Sequence, residues 1–247
     1  MTKDLLWRGM LAGILAALLA TLFARAVAEP QVDHAISFEA SHEAHHAMHG
    51  HEADEEVEIF SRATQKGAGL LTAMTLYGAA IGGIFSLLFA YAYGRLARVG
   101  PRTLAAAMAM LAFLVIAVVP ALKYPPNPPA VGQPDTIQIR TAAYFAMLVA
   151  SVIATVVAFR VKAMLSERLG GFDAVLAGVA TFIMVVVIAQ ALLPSFDEVP
   201  ADFPASLLWH FRVSALAIQA LLWTTIGLSF GLLAERRIRG SRAASRN

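Results

Sequence analysis

Apolar runs long enough to cross a bilayer alternate along the chain with polar connections. About 20 apolar residues rising 1.5 Å each cross a hydrocarbon core about 30 Å thick, and six stretches meet that requirement: residues 5–28, 69–93, 104–122, 141–159, 175–193 and 207–233. No water reaches backbone N–H and C=O groups in that core, so each run must pair its own backbone, which predicts helices. The expected fold class is all-α: a polytopic integral membrane protein of about six transmembrane helices. Residues 1–235 form one transmembrane domain, with a His/acid-rich periplasmic loop at 29–68 and a basic tail at 236–247. The first run also carries marks of a signal peptide, with Lys3 and Arg8 ahead of it and Ala26-Val27-Ala28 before Glu29. Its apolar part is long for such a segment and Arg25 sits just before the cleavage point, so a retained helix is expected over a cleaved signal.

Composition agrees with this pattern. Hydrophobic residues make up 58% and charged residues 15% of the chain, and the mean hydropathy is +0.66, a balance that calls for a non-aqueous solvent. The net charge of +2 does not point to nucleic acid, because the basic residues sit in short clusters beside apolar runs. They read as orientation charges. One set of connections holds Lys3 and Arg8; Arg95, Arg98 and Arg102; Arg160, Lys162 and Arg168; and Arg236, Arg237, Arg239, Arg242 and Arg246. The alternate set is acidic: Glu29 to Glu58, Asp135, and Asp197, Glu198 and Asp202. This alternation predicts both termini in the cytoplasm. Of the three outward loops, the second holds Tyr124-Pro125-Pro126-Asn127-Pro128-Pro129 and reads as a stiff strap. The third, 194–206, carries three acids and three prolines.

Chemistry concentrates in the first loop. The chain has no cysteine, so a transition-metal site must use histidine, carboxylate or methionine. The stretch Ser41-His42-Glu43-Ala44-His45-His46-Ala47-Met48-His49-Gly50-His51-Glu52 lies in the same loop as His34 and precedes Asp54, Glu55, Glu56 and Glu58. If it is helical, His42, His45, His46 and His49 share one face. That pattern suits two to four imidazole ligands around one ion, with carboxylates raising the local metal concentration. Co²⁺, Ni²⁺ and Zn²⁺ all fit. The candidate metal residues are His34, His42, Glu43, His45, His46, His49, His51 and His210. A plain solvated tract that binds metal incidentally and a segment that gains charge below about pH 6.5 are the competing readings. His42-Glu43-Ala44-His45-His46 also satisfies the H-E-x-x-H spacing of zinc peptidases, but a tract this rich in His and Glu matches by composition, and the loop is too short for a protease domain. No catalytic residue, permanently bound cofactor or enzymatic activity is expected.

Within the runs, His210 and Arg212 near the outer end of the last one, with Gln219 and Gln190, are the polar residues of interest. His210 either receives an ion from the first loop or anchors the helix end beside Trp209. Gly9 with Gly13, and Gly78 with Gly82, are small pairs four apart that permit close helix contact. A phosphate-binding G-x-x-x-x-G-K-[ST] loop is missing from the sequence, so transport energy must come from a gradient or a partner.

These residues resemble a known family. The order is Arg25-Ala26-Val27-Ala28-Glu29-Pro30-Gln31, the H-x-x-H loop at His42 to His49, and Lys123-Tyr124-Pro125-Pro126-Asn127-Pro128-Pro129-Ala130-Val131-Gly132. Leu193-Pro194, Glu198-Val199-Pro200, Leu208-Trp209-His210-Phe211-Arg212 and Leu222-Trp223 follow. Over nearly its whole length the chain is similar to the CbtA family of bacterial cobalt transporter subunits. The resemblance implies Co²⁺ uptake with a small single-span CbtB-type partner subunit, and it places His42, His45, His46 and His49 on the family's H-x-x-H loop. The expected function is a membrane subunit for uptake of a divalent transition metal, in contact with lipid and not with nucleic acid. The alternative is a membrane-anchored periplasmic metal-binding or sensing module that moves nothing.

Overall fold

The structure, a computed structural model, describes residues 2–48, 64–95 and 99–244. Its helices are α1 (Thr2–Phe23), α2 (Glu29–Met48), α3 (Leu70–Ala92), α4 (Pro101–Ala112), α5 (Val119–Lys123), α6 (Ile137–Leu169), α7 (Gly171–Leu192) and α8 (Ala205–Ala244). Short π-helical segments occupy Ala24–Ala28, Gln65–Gly69 and Phe113–Val118. Among the described residues six helical runs are long and apolar enough to cross a membrane: Thr2–Ser41, Gly67–Ala92, Pro101–Lys123, Pro134–Leu169, Gly171–Leu192 and Ala205–Gly240. The chain is thus a multi-pass membrane protein. Large apolar side chains such as Leu176, Val179, Ile183 and Val187 on α7 stay exposed. In lipid such a surface carries no penalty, whereas in water it would drive association.

Two of the π-helical segments end two residues before a proline, Pro30 and Pro120. A proline inside a helix lacks the N–H for the bond one turn back, and its ring presses on the carbonyl at i−4. Widening the preceding turn relieves that pressure and lets the helix continue. The first helix therefore does not stop near Ala28, where the apolar run ends, but goes on as α2 to Met48.

The helices separate into two compact units, Met1–Phe113 with Ala205–Asn247, and Leu114–Pro204. In the first unit α1 packs on α3 and on α8, and α4 packs on α8. The α1–α3 crossing is made by four glycines. A Cβ on Gly13 would meet the Gly78 carbonyl, and one on Gly82 would lie 2.9 Å from the backbone of Gly13. The α4–α8 crossing repeats the device: a Cβ on Gly227 would lie 2.6 Å from the Ala109 side chain, and one on Gly231 3.2 Å from Arg102 Cα. At the end where both termini lie, Arg8 Nη1 donates to the Leu233 carbonyl at 2.9 Å. Arg237 Nη2 pairs there with Asp4 at 2.9 Å, and Glu235 pairs with Arg102 and Arg239. Above this charged end, Phe85, Phe89, Tyr93 and Phe230 form a column of rings with centroids 5.0–5.5 Å apart.

The second unit holds the rest of the third span together with α6 and α7. Its core is Val119, Met147, Ala154 and Val186, with Tyr124, Phe182 and Leu193 against it. In the five-residue register of the π-helical turn, residue 120 would bond the Val115 carbonyl, but Pro120 has no proton to give. The fully buried Ser151 supplies the missing donor, its Oγ lying 2.7 Å from the Val115 carbonyl and 2.8 Å from that of Leu148. Gly170, at φ 80°, makes the left-handed turn that ends α6 and starts α7.

Two mutations test these contacts by unfolding in detergent. Gly13→Ala forces a methyl onto backbone that has no rotamer to escape into, and should destabilise by about 1–3 kcal/mol. Ser151→Ala strands the Val115 carbonyl and should cost about 0.6–1.7 kcal/mol, the range for hydrogen bonds between membrane helices.

Candidate metal site

α2 contains most of the candidate ligands. Helical backbone runs through His42, Glu43, His45 and His46, so these positions have the i, i+1, i+3, i+4 spacing of an α-helix. His49 and His51 lie outside the described residues. His34, two turns nearer the apolar run, is exposed. Among the described residues no three His, Asp or Glu side chains gather closely enough to hold a metal ion.

At the base of α2, Arg25, Glu29, Pro30 and Asp33 line a pocket of about 170 Å³. Their four-residue spacing stacks one cation and two carboxylates on one face, where the helix leaves its apolar stretch. Arg25 with Glu29 is legible from the sequence. Asp33 is the next step of the same four-residue spacing. His210 lies in the first turns of α8 beside Trp209, and both side chains are exposed. Among the described residues His210 belongs to no group of three such ligands.

The acidic third loop is built differently from a ligand set. Glu198 Oε2 accepts the Gln133 backbone N–H at 2.8 Å and the Thr136 hydroxyl at 2.9 Å, and lies 3.3 Å from Arg140 Nε. Arg140 Nη2 in turn donates to the Gln133 carbonyl at 2.9 Å. Lys123 Nζ donates to Ser195 Oγ at 2.8 Å, and the Tyr124 hydroxyl donates to the Pro194 carbonyl at 2.6 Å. The proline-rich strap and the acidic loop are thereby stapled together, with Val131 and Phe203 buried beneath their turns. The Gln133 N–H and the Thr136 hydroxyl hold the Glu198 carboxyl below its ordinary pKa, with Arg140 adding a smaller pull. Burial pushes the Tyr124 hydroxyl up, which keeps it a donor.

A depressed folded-state pKa fixes the sign of the pH effect: the staple contributes above the unfolded-state value and is lost as pH falls through the folded one. Exchange protection of the Gln133 N–H, corrected for intrinsic rate, should therefore fall on acidification through the carboxylate range. In Glu198→Ala that protection should be low at every pH.

The sequence model of the CbtA family, described as probable cobalt transporter subunit, matches residues 2–235. No curated protein and no solved structure matches the chain. A match over nearly the full length, on a protein with six membrane-length helices, identifies the chain as a member of the CbtA family of probable cobalt transporter subunits.

Proposed function

We propose that this chain is the ion-capturing membrane subunit of a cobalt uptake system. The carrying observation is that α2 continues the first span as helix, with His42, His45 and His46 at helical spacing along it. The rise from Ala28 to His42 is about 21 Å at 1.5 Å per residue, which sets the histidines well clear of the apolar run. The alternation of Lys/Arg-rich and acidic connections supports cytoplasmic termini in a bacterial inner membrane, so that α2 projects into the periplasm. A few imidazoles with nearby carboxylates hold a late first-row divalent ion yet release it, as a capture site must. Below them on the same helix come His34, then Asp33 and Glu29 in the pocket with Arg25. Family membership supports Co²⁺ as the cargo. A subunit works with a partner, and a small single-span CbtB-type protein suits that place. His210, exposed at the start of α8, is a secondary contact for the ion on the same side.

The test is ⁵⁷Co²⁺ accumulation in cells expressing the partner with either the wild type or a variant with His42, His45, His46 and His49 changed to Ala. Saturable uptake that drops severalfold in the variant and resists excess Ni²⁺ or Zn²⁺ is the expected outcome. Equal accumulation in the two strains and in cells lacking the chain, together with metal binding by the purified wild type, would replace transport with periplasmic metal buffering.

A further inference from the structure

The first unit contains a buried donor and a buried acceptor that the protein leaves without hydrogen-bond partners among the described residues: the indole Nε1–H of Trp223 and the amide Oε1 of Gln219. They stand one turn apart on α8, at i and i+4, and so share a face. Trp223 is 3% exposed, and its indole is 6.5 Å from the ring of Phe85 on α3.

The buried hydroxyls of this unit donate within their own helices. Ser214 donates to the His210 carbonyl at 2.7 Å, Ser86 to the Gly83 carbonyl at 2.7 Å and Thr21 to the Ala17 carbonyl at 2.8 Å, each on its own helix. A membrane interior gives an orphaned polar group no bulk water, so such groups are expected to find a partner.

Packing along α8 changes at this level. From Leu222 toward the charged end, Leu222, Trp223, Ile226, Phe230 and Ala234 are 0–3% exposed. From Ala215 to Leu221 every residue is only partly buried. Trp223 therefore caps a closely packed, aromatic half of the unit and faces a looser half, in which Gln219 is the polar side chain one turn away.

We propose that Gln219 and Trp223 hold a water molecule inside the membrane-spanning part of the first unit. One water satisfies both groups, donating a proton to Gln219 Oε1 and accepting the indole N–H on its oxygen. A bare divalent cation does not fit: the indole N–H presents its positive end, and no cluster of carboxylate or imidazole ligands adjoins it among the described residues. The site would place solvent at the floor of the looser half, directly against the aromatic column that closes the other half. This inference goes beyond the transport reading and does not depend on it.

X-ray hydroxyl-radical footprinting of the full-length protein in lipid nanodiscs tests it, because radicals generated from a bound water label the side chain beside that water. In the wild type, Trp223 should be oxidised despite its burial, while Phe230 stays unlabelled. Gln219→Leu and the near-isosteric Gln219→Met, which lack the acceptor, should lower Trp223 labelling severalfold, and a still-unlabelled Phe230 would report an intact bundle. An unlabelled Trp223 in the wild type, or labelling that persists unchanged in both variants, would overturn the site. Neither result bears on ⁵⁷Co²⁺ uptake, and a failure of the uptake experiment would leave the labelling result standing.

Discussion

In hydrocarbon, an apolar side chain gains nothing by exchanging lipid for another helix, so membrane helices associate through close van der Waals contact and short-range polar bonds. The α1–α3 crossing is the strongest expression of that constraint in the first unit. Gly9, Gly13, Gly78 and Gly82 let two backbones touch where any side chain would intrude. With α1 held there, the same buried side of the helix also meets α8. Arg8 caps the Leu233 carbonyl and Asp4 receives Arg237. Residues more than 220 positions apart thus close the terminal end of the unit. The Phe85, Phe89 and Phe230 contacts between α3 and α8 follow from the same placement, since both helices lean on α1.

The second constraint is that every backbone carbonyl in the apolar layer needs a donor. Pro120 violates it, and the structure answers on two levels: a widened turn makes room for the ring, and Ser151 on α6 replaces the lost N–H. Pro30 meets the same steric problem where the helix is already leaving its apolar run. Arg25, Glu29 and Asp33 surround it there, so the local setting is polar. The same local distortion therefore accompanies a sealed core in one place and a charged pocket in the other, and what separates them is depth along the apolar stretch.

The six spans were legible because length and hydropathy act locally, and the two glycine pairs because a four-residue spacing already marks a contact face. The extent of the first helix was not fixed by the end of its apolar run. Hydropathy marks where lipid stops and not where helix stops, and residues 31–48 contain neither glycine nor proline, so nothing in them ends a helix. The Glu198 staple could not be foreseen: it joins Gln133 and Thr136 to an acid more than 60 residues away, and no local rule pairs two loops. By sequence His210 suits an ion and an interface equally, and its exposure beside Trp209 keeps it away from the bundle interior.

These pairings show which acids hold the protein together. Glu198 Oε2 takes two hydrogen bonds and faces a guanidinium, and the lowered pKa of the carboxyl follows from those hydrogen bonds. A divalent ion recruiting that oxygen would have to compete with the donors that join the strap to the acidic loop. Asp4 and Glu235 are likewise committed to arginines at the terminal end. Glu29 and Asp33 border a pocket with Arg25 at the foot of the helix that carries the histidines. Under the proposed capture role, an ion leaving the imidazoles of α2 would meet harder oxygen donors there, with the charge of Arg25 opposing it. Such a setting would bind the ion more weakly than the histidines do, and graded weakening is what separates a path from a trap.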